Sequence, residues 1–137
     1  MLVPPCFRSP LRVEKVTART WRVLEPLIFE SVDLDGLVVL PAGALTNFAS
    51  TPRFLWWLVP PSGQYDYGAA LHDGGYRGTL QTEDGARMRL IRPLCDRLFD
   101  EANRAVGVNA AIRWMLYRGV RLFGGSSYTG VPDADND

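Results

Sequence analysis

The chain has very little of what usually builds a histidine- or cysteine-based site. It contains a single histidine and two cysteines in 137 residues. Two cysteines, Cys6 and Cys95, cannot make a disulfide framework. No CxxC pair exists to hold a structural zinc ion, so a reducing compartment is expected. There is no excess of either charge: 15 basic residues balance 15 acidic ones. A dedicated nucleic-acid binder normally carries a basic surplus, so the composition gives no strong nucleic-acid signal. Long apolar runs are missing too. The longest, Phe54 to Pro61, is far short of the roughly 20 residues that span a bilayer, so no transmembrane segment is expected. The first residues carry prolines and Arg8 but no apolar run of signal-peptide type. No glycine-rich loop has the spacing and following lysine of a phosphate cradle.

What is present is apolar material, 47% of the residues, which is enough for one core and excludes global disorder. A single domain over residues 1–125 is expected, with a flexible acidic tail over 126–137.

The first half has short strand-like segments. These are Leu11 to Val16, Trp21 to Phe29 interrupted by Pro26, and Leu37 to Leu40, with a turn at Asp33, Asp35 and Gly36. Residues 52–58, including Trp56 and Trp57, suit a short helix begun at Pro52 and stopped at Pro60-Pro61. The second half has helical spacing. One helix is expected from Gln64 to Tyr76. A second runs from Arg89 or Arg92 to Ala105, with Leu90, Leu94, Leu98 and Ala102 as its stripe. A third, capped by Asn109, runs to Phe123, with Ile112, Leu116, Val120 and Phe123 as its stripe. Trp114 is expected to join the core. Strands followed by helices predict an α+β fold: a small antiparallel sheet from the N-terminal half packed against about three helices from the C-terminal half.

The one histidine, His72, precedes Asp73. On a helix, His72 and Tyr76 lie one turn apart on the same face, and Asp73 points about 100° away. Asp96 interrupts the apolar stripe of the next helix, so it is the natural partner for His72. Arg92 stands one turn before Asp96. This pattern suits a histidine base oriented by a carboxylate, which leaves Asp73 to hold a divalent cation. Calcium is favoured, with Asn47, Asp66 and loop carbonyls completing the shell. The same His-Asp pair equally suits a structural role, satisfying loop backbone groups. Trp56 and Trp57 suit either the core or a contact with a lipid surface or a partner. The eight arginines from Arg87 to Arg121 read as a solvated surface, or as a patch facing phosphates or an acidic partner.

Four ordered segments carry a resemblance. Pro41-Ala-Gly-Ala-Leu-Thr-Asn-Phe-Ala-Ser-Thr-Pro52 is followed by Gly63 to Tyr76 with Ala-Ala-Leu-His-Asp. Next come Arg92-Pro-Leu-Cys-Asp-Arg-Leu-Phe99 and Tyr117-Arg-Gly-Val-Arg-Leu-Phe-Gly-Gly125. Together they resemble a family of small phage and prophage proteins catalogued as domain of unknown function 1353. The resemblance spans roughly residues 35 to 125. It implies a phage or prophage gene product, located in the cytoplasm of the bacterial host or associated with the virion, with a virion or tail protein as partner. It implies no chemistry. The family commonly has Thr-Asp where this chain has Thr46-Asn47, and a neutral amide there would weaken a metal site.

A more local likeness concerns His72-Asp73-x-x-Tyr76 with Asp96 on a following helix. It is similar to the catalytic helices of secreted and parvoviral phospholipases A2. That similarity implies His72 as base, Asp73 as calcium ligand, and Tyr76 and Asp96 as supports of the histidine. The glycine-rich calcium loop and the disulfides of the secreted forms are not recognisable here. If the likeness extends to function, Arg92, Trp56 and Trp57 would contact substrate.

Overall fold

A computed structural model describes residues 3–47, 64–125 and 128–129. The segment carrying Trp56 and Trp57 lies outside the described residues.

The described residues of the N-terminal half form six short strands. They are β1 (Cys6–Phe7), β2 (Val13–Lys15), β3 (Trp21–Val23), β4 (Leu27–Ser31), β5 (Gly36–Leu40) and β6 (Leu45–Thr46). They pair antiparallel in two three-stranded sheets, ordered β1-β4-β5 and β2-β3-β6. The expected antiparallel strands, packed against three helices, are present, and they are divided between two small sheets. Pro26 accounts for the break: it cannot donate to a ladder, and it separates β3 from β4. The longest ladder pairs Leu27 with Leu40 and Ser31 with Gly36. Its turn takes Asp35 through a positive φ of 53°, a conformation that aspartate tolerates better than most residues. The outer edge of β5 is covered by Gln81, which exchanges two backbone hydrogen bonds with Val39 at 2.9 and 2.8 Å.

The C-terminal half forms α1 (Gln64–Arg77), α2 (Arg92–Ala105) and α3 (Ala110–Phe123). Pro93 sits in the first turn of α2, where its missing N–H is harmless. The Asn109 side chain caps α3 by accepting from the Ile112 N–H at 2.9 Å. The alternation of β4 and β5 turns Leu27, Phe29, Val38 and Leu40 inward, onto Ala70 and Leu71 of α1 and Cys95, Leu98 and Ala102 of α2. A second cluster joins Ala69, Phe99, Leu116 and Val120, seating α3 on the other two helices.

Two adjacent glycines let α1 lie between its neighbours. A Cβ on Gly74 would come within 2.7 Å of Leu40 Cδ1, and one on Gly75 within 2.8 Å of Cys95 Sγ. Beyond α3, Tyr128 donates to the Leu90 carbonyl at 2.7 Å and the Thr129 N–H donates to the Tyr76 carbonyl at 2.8 Å. These residues anchor the chain over the end of α1. Trp114 is 64% exposed rather than in the core, and Phe123 is exposed rather than closing the α3 stripe. No described helix is long and apolar enough to cross a membrane.

Candidate functional site

α1 and α2 run antiparallel in contact, and their facing polar residues meet between them. His72 is 3% exposed and Asp96 is fully buried. His72 Nε2 lies 2.6 Å from Asp96 Oδ1, and the Tyr76 hydroxyl donates to the same oxygen at 2.6 Å. The His72 and Tyr76 rings, one turn apart, meet at a tilt of 44° with centroids 4.1 Å apart, and the Phe99 ring also packs on His72 at 4.9 Å. The second oxygen of Asp96 accepts from Arg121 Nη1 at 2.8 Å.

Burial alone would raise the Asp96 carboxyl. The hydrogen bond and charge of His72, then the bonds from Tyr76 and Arg121, outweigh it and hold the group below the usual carboxylate range. Asp96 is therefore an ionised acceptor, and both groups on Oδ1 must donate to it. His72 Nε2 carries a proton whatever the charge on the ring. In the neutral ring, the basic nitrogen is Nδ1. Burial, then the Asp96 bond, pushes the Tyr76 phenol far above its ordinary value, so Tyr76 remains a donor. Burial also pushes the Cys95 thiol, next to Asp96, up to about 12.

Arg92 is buried one turn before Asp96. Its Nε donates to the Tyr76 hydroxyl at 3.0 Å and stands 3.9 Å from Asp96 Oδ2. Its Nη2 donates to the Val120 and Arg121 carbonyls at 2.8 and 2.7 Å. A guanidinium thus closes the C-terminal end of α3, where unpaired carbonyls and the helix dipole favour a cation.

Asp73 faces away from this network. Its Oδ1 accepts from Arg77 Nε at 3.1 Å and its Oδ2 from the Asn47 backbone N–H at 3.2 Å, so the Asp73 carboxylate and Asn47 are neighbours. Asp66, two turns earlier on α1, is about 10 Å away by helical rise, too far to share an ion with Asp73. Burial raises its carboxyl. Among the described residues no group of three or more His, Cys, Asp or Glu side chains could hold a metal ion. Both cysteines are free and buried.

Two polar residues escaped the sequence reading. Arg121, one of the arginines that read as a solvated surface or a patch facing phosphates or an acidic partner, completes the Asp96 network. Glu101 is buried, and its carboxylate accepts from Ser31 Oγ at 2.6 Å and from the Val32 and Asp33 N–H groups at 2.7 and 3.2 Å. It therefore ties α2 to the β4–β5 turn. Its position on the buried side of the α2 stripe, three residues after Leu98, was the available signal.

Compared with known families, residues 21–120 match the family model described as "Protein of unknown function (DUF1353)". No curated protein and no solved structure matches the chain.

Proposed function

The chain belongs to the DUF1353 family, and from that premise we propose that it is a phage- or prophage-derived protein whose α1–α2 interface carries a hydrolytic site for lipid esters. The observation that carries this reading is the sharing of Asp96 Oδ1 by His72 Nε2 and the Tyr76 hydroxyl, each at 2.6 Å. It fixes the tautomer and orientation that a histidine base needs. A buried ionised carboxylate with this many donors is costly to assemble, and such networks cluster at functional sites.

In this reading His72 Nδ1 removes a proton from water, and the water oxygen attacks the ester carbonyl. When the tetrahedral intermediate collapses, the ester C–O bond breaks and the imidazolium returns the proton to the departing alkoxide. Asp96 stays ionised and stabilises the imidazolium, while Tyr76, Arg92 and Arg121 hold Asp96 in place. Asp73, with the side chain of Asn47 and loop carbonyls, would hold a divalent cation, calcium by the hardness of these oxygen ligands. Bound there, the ion would supply a positive charge for the developing oxyanion. A single carboxylate already bonded to Arg77 fits only weak binding, in the millimolar range of calcium sites. Trp56 and Trp57 remain proposed lipid contacts.

The test is release of fatty acid from a phospholipid by the native chain and by His72→Gln and Asp73→Ala, with folding followed by circular dichroism. Calcium binding is titrated in parallel by calorimetry. Calcium-dependent release by the native chain, abolished in folded His72→Gln, is expected. Undiminished release by His72→Gln would sink the mechanism.

A second reading is a non-enzymatic phage tail or assembly protein, present in the host cytoplasm or on the virion. The near-complete burial of His72 and Asp96 favours it. It predicts no hydrolysis by the native chain and a loss of stability in His72→Gln.

A further inference from the structure

We propose that the outward ridge of α3, with the groove beside it, docks on an anionic phospholipid bilayer. The inference rests on the lipid-ester reading and deepens it, since it makes the substrate a membrane surface rather than a dissolved lipid.

Trp114, Arg118 and Leu122 are spaced by four residues and form one continuous exposed line on α3. Trp114 and Leu122 are 64% and 65% exposed, while the opposite face of the helix is seated in the core through Leu116 and Val120. Two large apolar side chains, each about two-thirds exposed and on one line of an anchored helix, are unusual for a water-facing surface. The helix carries three arginines and no acidic residue. The Arg118 guanidinium lies over the Trp114 ring, 5.8 Å from its centre. Tryptophan and arginine so paired suit a headgroup boundary, where the indole enters the apolar layer and the guanidinium meets phosphate.

Beside this ridge, between α2 and α3, is a groove of about 460 Å³ lined by Asp33, Arg97, Asp100, Arg113, Trp114 and Tyr117. Arg113 Nε is buried there without a hydrogen-bond partner, 3.7 Å from Asp100 Oδ1. An unspent donor on a cation, next to an exposed indole, matches a lipid phosphate. Arg97 and Arg113 balance Asp33 and Asp100 within the groove, and Arg121 is paired with Asp96, so attraction to an anionic surface comes from Arg118 on the ridge.

The experiment is co-sedimentation of the full chain with vesicles of ether-linked phosphatidylcholine, with and without ether-linked phosphatidylglycerol. Ether lipids have no ester to cleave, so binding is read apart from hydrolysis. Binding to the anionic vesicles is expected, weakened by salt. It should fall at least about tenfold in Trp114→Ala/Arg118→Glu, since one charge near an anionic surface is worth about fivefold and the reversal changes two. The exposed control Val16→Ser should bind as the native chain does. No binding by the native chain, or equal binding by the double variant, would overturn the proposal. Binding that depends on Trp114 and Arg118, in a chain that releases no fatty acid from ester lipids, would uphold the docking surface and remove the hydrolase.

Discussion

His72 and Asp96 bond across the interface of two helices at 2.6 Å, and the carboxylate they share with Tyr76 has no exposed atom surface of its own. One charge therefore organises residues from three helices: His72 and Tyr76 on α1, Arg92 on α2 and Arg121 on α3. Removing it leaves several buried donors aimed at nothing.

Asp96→Asn is expected to cost about 3 kcal/mol at neutral pH, the scale of breaking a buried ionic pair. The cost depends on pH in a definite direction. The folded carboxyl lies below its ordinary value, so on acidification the unfolded chain takes up the proton first. The stability this group contributes is full above the unfolded value of about 4 and is lost as pH falls toward the folded one. Urea unfolding of both chains between pH 7 and 3 should show the gap narrowing with acid. A gap that stays constant would mean that Asp96 is not ionised in the fold.

Glu101→Gln keeps the shape but places an amide NH₂ where a carboxylate oxygen accepts from Ser31 or from the Val32 and Asp33 N–H groups. A loss of about 1.5–3 kcal/mol is expected, as for a buried hydrogen bond to a charged group. Hydrogen exchange should quicken at Val32 and Asp33 before it does in β4 at large. Unchanged protection there would show that the turn holds itself.

Gly75→Ala should destabilise by about 1–3 kcal/mol, because the new methyl meets Cys95 Sγ. Cys95→Ala removes that sulfur, although its Cβ, at 3.3 Å, stays. Denaturant unfolding of the double variant should show partial rescue, a coupling that two independent sites would not give.

With its thiol held near 12, Cys95 should resist alkylation at pH 8 in the native chain and react readily once unfolded. Mass spectrometry of a Cys6→Ser variant after timed iodoacetamide exposure reads this directly. Rapid native labelling would place Cys95 on a mobile surface. The same raised value implies stability that is complete below the unfolded thiol value of about 8.5 and is lost as pH climbs toward 12.

The helices were legible because their signals are local and strong. Asn109 caps α3, Pro93 opens α2, and the α2 stripe runs for three turns. The His72–Asp96 contact was legible because a lone acid in an apolar stripe needs a partner. Strands of two residues, such as β1 and β6, are too short to show a period, and the division into two sheets depends on them. Trp114 misled because aromatic bulk favours burial on average, and only the seating of Leu116 and Val120 turns it outward. Arg121 read as part of a solvated surface or of a patch facing phosphates or an acidic partner. Its partner is an acid on another helix, and the α3 carbonyls that Arg92 closes are likewise on another helix, so no local pattern encodes either contact.

The reach of Arg121 to Asp96 also sets an order in time. The guanidinium follows the carboxylate by 25 positions in the chain. At roughly 5–20 residues per second, a ribosome makes Asp96 about one to five seconds before its counter-charge. Until Arg121 is made, the described partners left to Asp96 are His72, Tyr76 and Arg92, and water has to do the remainder. The arrival of α3 dries and closes the cluster, so α3 locks the two helices made before it.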